Sequence, residues 1–308
     1  MRFIIFIRII LLTFFLFSFV SAQNGNVNYL SPGSFDKLEK HNESYINWTE
    51  GYALGWGSSN VNLDAEDILV DRYKAEQTAK EKAILDISNM LINVKVNSFK
   101  TIYEYIRENR EFATLFNKYV HSYSHNLIPV ISNYSKIRYG VVFNFFGEKS
   151  ILEVFYKALK DEPTMRVPVF NNRDDMEKHK YTGLVIDTRG MFDENGKKIE
   201  VNTCLFPNIY VKPKDINEAK KGVLHTIFSF HHLNKQSSLK RGSVRYTTTS
   251  YNVYRDKIVG INPYFCHAEK ILIRDYNTDL LISREDALKF LSQEINARTL
   301  EEGRVLII

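Results

Sequence analysis

The sequence predicts an α+β protein of two domains, the first with long helices packed on a small antiparallel sheet and the second mostly antiparallel strands with one helix. Three observations predict this class. Residues 65–91 contain no Gly or Pro and repeat apolar side chains every three or four positions, which is typical of a helix with one buried face. After residue 181 the apolar segments become short and are separated by turn residues, which indicates strands. The 21 Phe and 18 Tyr residues favour sheets packed with aromatic rings.

The chain of 308 residues, 44% hydrophobic and 25% charged, has the composition of a folded protein long enough for two cores. Changes in composition along the chain predict its segments. Residues 161–180 hold two prolines and nine charged residues, which is typical of a linker. The predicted segments are a signal peptide (1–22), a polar leader (23–45), a helix-on-sheet α+β domain (46–160), a linker (161–180) and a β-rich α+β domain (181–308).

The first 22 residues have the features of a cleavable export signal. An apolar run at residues 9–17 follows Arg8, and the small residues Val20-Ser21-Ala22 predict cleavage between Ala22 and Gln23. The alternative is an uncleaved membrane anchor, which is disfavoured because Arg8 splits the apolar stretch below the roughly 20 residues of a span. Position 23 is not a cysteine, so no lipoprotein anchor is encoded there. We expect a periplasmic protein with peripheral membrane contact at most.

In the first domain, the pattern predicts a long helix with an alanine stripe. Asp64 is its expected N-cap, and Ala75, Ala79, Ala83 and Ile87 share one face. The other predicted elements are a strand at 51–57, a strand at 92–96, a helix at 101–119, strands at 127–131 and 137–146, and a helix at 151–159.

In the second domain, one helix and several strands are predicted. Ser283 caps the helix, Asp286 follows it as in a capping box, and Ile295 is expected on the buried face. Asn195-Gly196 predicts a hairpin turn. The predicted strands are at 181–188, 204–211, 222–231, 244–253, 268–274 and 304–308.

Histidines and cysteines of the second domain are candidates for chemistry. On one strand His225 and His231 would share a face with His232 on the other, and His267 follows Cys266 elsewhere. A metal site needs these side chains to converge, whereas polar positions on a half-exposed strand are the favoured interpretation. Cys204 and Cys266 form either a disulfide or two buried free thiols.

The charge pattern excludes steering of nucleic acid by the overall field. Removal of Arg2 and Arg8 with the signal leaves 39 basic against 36 acidic residues, a net charge of +3. The basic positions Lys235, Lys240, Arg241 and Arg245 are interpreted as a solvated hairpin loop rather than a phosphate site. No dinucleotide, phosphate-loop, nucleophile-elbow or zinc-helix motif is present in the sequence. We therefore predict no catalytic, metal-binding or cofactor-binding residue, and no enzyme.

Three segments, at residues 75–98, 181–190 and 300–308, together resemble a bacterial envelope family. That family includes the small Helicobacter outer-membrane lipoprotein, the flagellar protein FlgP and the amino-terminal domain of FlgT; similar proteins occur in spirochaetes. The likeness centres on residues 46–99, and it implies an exported protein with long helices on a small antiparallel sheet. Several members are structural parts around the flagellar basal body, and the resemblance transfers no catalytic residue. The lipoprotein members carry a lipidated cysteine where this chain has Gln23, so anchoring is not implied.

These observations predict an exported periplasmic structural or interaction protein associated with the flagellum or envelope. Its expected partners are envelope or flagellar basal-body proteins, or a second copy of the chain. Two alternatives stay open: a module that binds a small ligand or cell-wall component in a cleft between the domains, and an envelope hydrolase.

Overall fold

A computed structural model of the chain describes residues 32–308, except 35, 123–128, 134, 171–178, 194, 213–223 and 252. The predicted signal peptide, its cleavage site between Ala22 and Gln23, and the leader up to residue 31 lie outside the described residues. Across the described part of the chain, the strands form two sheets and helices pack on them, so the α+β class is confirmed. Within that part, no helix is long and apolar enough to cross a bilayer.

The first sheet is antiparallel throughout its described strands, as expected. Its order is β1-β2-β3-β5-β4. The strands are β1 (Leu38–His41), β2 (Ser44–Asn47), β3 (Tyr52–Asn60), β4 (Pro129–Asn133) and β5 (Lys136–Asn144), and the helices of this part are α1 (Ile68–Ile92), α2 (Ile102–Glu108), α3 (Arg110–Ser122) and α4 (Ile151–Ala158).

Helix α1 lies unusually close to strand β3. The predicted alanine stripe is confirmed, since Ala79 and Ala83 are fully buried. Opposite them β3 carries Gly55 and Gly57, and a Cβ on Gly57 would lie 2.0 Å from the Ala79 carbonyl oxygen. Small residues on both elements therefore let the two backbones approach. The N-cap is Asp67 and not Asp64, because the Asp67 carboxylate accepts the N–H groups of residues 69 and 70.

Two further expectations for this region are wrong. Residues 92–96 form no strand, because α1 continues to Ile92 and a turn follows in which Val96 N–H donates to the Lys100 carbonyl. The helix expected at 101–119 is two helices. Asn109 adopts an extended backbone (φ −126°, ψ 105°) and its side chain accepts the Phe112 N–H, which ends α2 and caps α3.

The second sheet differs from the expected, mostly antiparallel one. Its order is β8-β7-β11-β10-β6-β12-β9, and four of the six pairings among the described strands are parallel. Parallel pairs need crossover connections, and the connection between the parallel strands β9 and β12 contains two helices. The elements are β6 (Leu184–Asp187), β7 (Ile209–Val211), β8 (His225–Phe228), β9 (Arg245–Tyr246), β10 (Tyr264–Leu272), β11 (Asp279–Ile282), β12 (Val305–Ile307), α5 (Lys235–Arg241), α6 (Arg284–Phe290) and α7 (Glu294–Glu301).

The helix expected after Ser283 is two helices, α6 and α7, and α5 is a further helix that the sequence pattern did not predict. Ser283 caps α6 as predicted, since its Oγ accepts the Asp286 N–H at 2.9 Å. Ile295 is exposed rather than buried, because α6 ends at Phe290 and Ile295 belongs to a separate helix, α7, whose buried residues include Ala297 and Leu300.

Residues Ser34–Ile308 form one compact unit, and one apolar core includes residues of both sheets. The Trp48 ring contacts Phe145 at 5.3 Å and Tyr246 at 5.7 Å between ring centroids. Residues 163–170 of the predicted linker form neither helix nor strand, and the Met165 N–H donates to the His231 carbonyl. Its residues 171–178 lie outside the described residues, and the predicted domain boundaries stay a prediction.

Candidate functional site

An apolar groove lies between α1 and the pair α2–α3 on the outer surface of the first sheet's helical layer. Its volume is about 570 Å³. We call it the helical groove; it is lined by Glu81, Ile84, Leu85, Ser88, Ile106, Ala113, Phe116, Asn117, Val120 and His121.

The helical groove follows from the way α1 is packed. Because α1 turns its alanine stripe to β3, Leu85 points away from the sheet and is 64% exposed. The opposite wall is built by α3, whose Phe116 and Val120 are buried. Most of the lining residues are apolar, and exposed apolar surfaces can mark interaction sites.

A second concave surface, the sheet cleft, lies on the outer face of the mixed sheet. Its volume is about 350 Å³, and it is lined by Asp187, Arg189, Ser250, Tyr254, Phe265, Cys266, His267 and Ile308. Asp187 ends β6, and His267 is its register partner on the parallel strand β10. Two residues that the sequence separates by 80 positions therefore share one site.

The polar side of the sheet cleft is an ion pair. Arg189 Nε donates to Asp187 Oδ1 at 2.9 Å, and Nη2 donates to Oδ2 at 2.6 Å. The bonds from Arg189 hold the pKa of Asp187 below its usual range against the opposing effect of burial, and the nearby His267 adds to this. Two parallel bonds of this kind fix the carboxylate geometrically.

His225 and His231 were predicted to share one face of a strand, and the structure does not place them on one strand. Strand β8 ends at Phe228, and His231 and His232 lie in a 3₁₀ turn. His232 is buried with Nδ1 2.8 Å from Ser229 Oγ, and burial lowers its pKa to about 4. His231 Nδ1 lies 3.5 Å from Glu162 Oε2. In the described ranges, no group of three or more His, Cys, Asp or Glu residues is placed to hold a metal ion.

Both cysteines are buried free thiols in the structure and are not bonded to each other. Cys204 Sγ lies 3.5 Å from Tyr246 Oη, and Cys266 Sγ lies 3.7 Å from the Val185 carbonyl oxygen. Burial raises the pKa of Cys204 to about 12 and also raises that of Cys266. Thiols of this kind are poor nucleophiles at neutral pH.

The basic stretch expected as a solvated loop is not one. Residues Lys235–Arg241 form helix α5, and Arg245 lies in β9 with its guanidinium buried 4.2 Å from the Phe146 ring centroid. Gly51, with φ +74°, leaves the space that Nη1 of Arg245 occupies. Desolvation lowers the pKa of Arg245 to about 10. The sequence did not predict the burial of Arg245, because an arginine close to Lys240 and Arg241 resembles a solvated charge.

A buried carboxylate, also missed from the sequence, joins the α1–α2 turn to the second sheet. Asp279 is fully buried; its Oδ2 accepts the Ser98 hydroxyl at 2.7 Å and its Oδ1 accepts the Asn208 N–H at 3.1 Å. Because these bonds satisfy the charge, Asp279 has a structural role.

The arrangement defines an α+β protein with an exposed apolar groove on its helices and a polar cleft on its mixed sheet. Residues 183–308 match the domain family described as Treponema pallidum Tp0624, second domain. The matched residues contain every described strand of the mixed sheet, and the match is consistent with a spirochaete origin. No curated protein matches the chain. The resemblance of residues 46–99 to the flagellar envelope family stays a prediction.

Proposed function

We propose that this chain is an exported, non-catalytic protein of the bacterial periplasm that works by binding another envelope protein, with the flagellar basal body as the leading assembly. The observation that carries the proposal is the helical groove. Its walls combine apolar side chains from three helices in a concave shape of about 570 Å³. A groove of this kind suits the apolar face of an amphipathic helix, with anchors spaced three or four residues apart.

The partner that fits the helical groove best is an amphipathic helix with a basic residue at one end. Glu81 lies at the rim and takes part in no ion pair among the described residues, so a basic group there gains a charge partner. The two walls of the groove supply apolar contact through Leu85 and Phe116. Central apolar anchors of interfaces commonly contribute about 2 kcal/mol or more each.

Site-specific photocrosslinking in the native host tests this proposal. A photoreactive residue replaces Leu85, and the control is the same replacement at Tyr73, which lies on the same helix with the same exposed fraction of 64% but outside the groove. We expect an adduct with one exported envelope protein from position 85 and none from position 73. Adducts of equal yield from both positions, or none from position 85, contradict the proposal.

The identified partner is then tested with purified proteins. Leu85→Glu places a charge in the apolar groove, so we expect a loss of roughly 30-fold or more in affinity, whereas Tyr73→Glu leaves the Kd unchanged. A deletion strain is scored for swimming and flagellar ultrastructure. Normal swimming would exclude the flagellar assembly, and a partner that binds Leu85→Glu normally would exclude the groove.

A further inference from the structure

The sheet cleft lies at the carboxyl ends of two parallel strands of the mixed sheet. Strands β6 and β12 run parallel in register, and both end at the cleft, with Asp187 at the end of β6 and Ile308 immediately after β12. In open sheets with parallel strands, ligands bind outside the carboxyl ends of those strands. The position of the sheet cleft therefore has a general structural reason to bind a ligand.

One wall of the sheet cleft is aromatic and exposed. The rings of Tyr254 and Phe265 lie 5.2 Å apart between centroids, and the two residues are 58% and 37% exposed. Tyr254 is held there by Val253, which is buried in a small cluster with Val185 and Leu306 on the same sheet face. The protein thus fixes two aromatic side chains at a concave surface without covering them.

The other wall offers both donors and acceptors at nearly neutral net charge. Because Arg189 uses Nε and Nη2 to bind Asp187, its Nη1 takes part in no hydrogen bond among the described residues. Asp187 Oδ2 keeps capacity to accept, and His267 and Ser250 add one polar group each. Since the carboxylate compensates the guanidinium, an anion gains little there, whereas a group that donates and accepts side by side matches the pair.

We propose that the sheet cleft binds a neutral saccharide, with a sugar ring against Tyr254 and Phe265 and adjacent hydroxyl groups hydrogen-bonded to Arg189 and Asp187. A pyranose presents an apolar C–H face and an equatorial rim of hydroxyls, which are the two chemistries that the two walls supply. The volume of about 350 Å³ is near the lower end for ligand pockets and suits one or two rings. This site is separate from the helical groove and does not depend on the proposed partner.

The test is an NMR titration of the full mature chain with three disaccharides, namely maltose, cellobiose and N,N′-diacetylchitobiose, and with inorganic phosphate and acetate as anionic probes. We expect saturable shifts with at least one disaccharide, mapped to β6, β10 and residues 250–255, and weaker effects of both anions. Shifts that map elsewhere, stronger binding of an anion, or no saturable saccharide binding would each overturn the proposal.

Variants separate the cleft from the general surface. Tyr254→Ala should weaken the affinity for the disaccharide by roughly ten-fold, because it removes a flat ring, whereas Tyr251→Ala, at a more exposed tyrosine outside the cleft, leaves it unchanged. Arg189→Ala should also weaken binding. If Tyr254→Ala fails to fold, Tyr254→Leu keeps the apolar contact and still removes the ring.

Leu85→Glu, in the helical groove, should retain saccharide binding. The experiments therefore distinguish failure of the proposed partner site from failure of the proposed saccharide site. Equal affinities for the Tyr254 and Tyr251 variants would exclude the site.

Discussion

Gly57→Ala should destabilise the protein although it adds a single methyl group. A Cβ at this position would lie 2.0 Å from the Ala79 carbonyl oxygen and 2.5 Å from the Ala83 nitrogen, whereas ordinary contacts are 3.4–4 Å. Both neighbours are backbone atoms of α1, so no rotamer change relieves the clash. The helix must move away by more than about 1 Å, which forfeits much of the dispersion energy along the alanine stripe.

The expected change in the free energy of unfolding for Gly57→Ala follows from two opposing effects. Overpacking by one methyl group costs about 1–3 kcal/mol, and more where the backbone must shift. Gly57 does not have a left-handed φ, so alanine is compatible with the strand and its smaller unfolded-state entropy returns about 0.4–1 kcal/mol. We expect a net loss of about 2–3 kcal/mol in the free energy of unfolding and, for a chain of this length, a fall in Tm of roughly 3–5 °C.

Urea denaturation followed by circular dichroism measures this change, with an unchanged m value as the sign that the two states are the same. The control is Ser58→Ala, because the adjacent side chain points to the other face of β3 and should change stability by less than about 0.5 kcal/mol. If Gly57→Ala unfolds at the wild-type midpoint, α1 is not in close contact with β3 and the packing argument is refuted.

Three further predictions concern the same chain. Ala83→Glu should cost several kcal/mol because it buries an unpaired charge, whereas Lys80→Glu at a half-buried position beside the alanine stripe should stay within about 0.5 kcal/mol; equal losses of Tm would show that the helix phase is misread. Because burial holds the pKa of His232 near 4, below the ordinary value of 6.5, the unfolded chain takes up the proton first, and stability falls as the pH drops from about 6.5 towards 4. His232→Gln should show a shallower loss over that range in urea titrations, and an identical slope would contradict the assignment. Amino-terminal sequencing of the protein from its host should begin at Gln23, and an intact Met1 chain in membranes would support the anchor instead.

Local patterns in the sequence predicted the elements whose cause is local. Helix α1 is readable because its buried residues recur every three or four positions from Ala75 to Ile87, and the start of α6 because Ser283 and Asp286 cap within one turn. The break between α2 and α3 was not readable. Asn109 is neutral as a helix residue, and whether its side chain caps the next helix depends on competing local hydrogen bonds.

The sequence did not predict which distant strands pair with each other, and it did not predict the candidate sites. Alternation predicts a strand and its buried face but not the direction of its neighbour, which is why the mixed sheet was expected to be antiparallel. The cleft depends on the register between Asp187 and His267, and that register has no local signal. The burial of Arg245 was not predictable from local sequence either. Its guanidinium loses contact with water in the folded chain and stacks on Phe146, and this contact exists only after folding.

The placement of β12 has a consequence for the order in which the protein can be made. This strand lies between β6 and the edge strand β9, which precede it by about 120 and 60 residues, so β6 and β9 are not joined until residues 305–307 have left the ribosome. Until then β6 and β9 present unpaired edges, which invite pairing with other chains. Pairings over such distances also form slowly. The mixed sheet of a nascent chain therefore stays incomplete until the end of synthesis, whereas the strands of the first sheet are all made by residue 144.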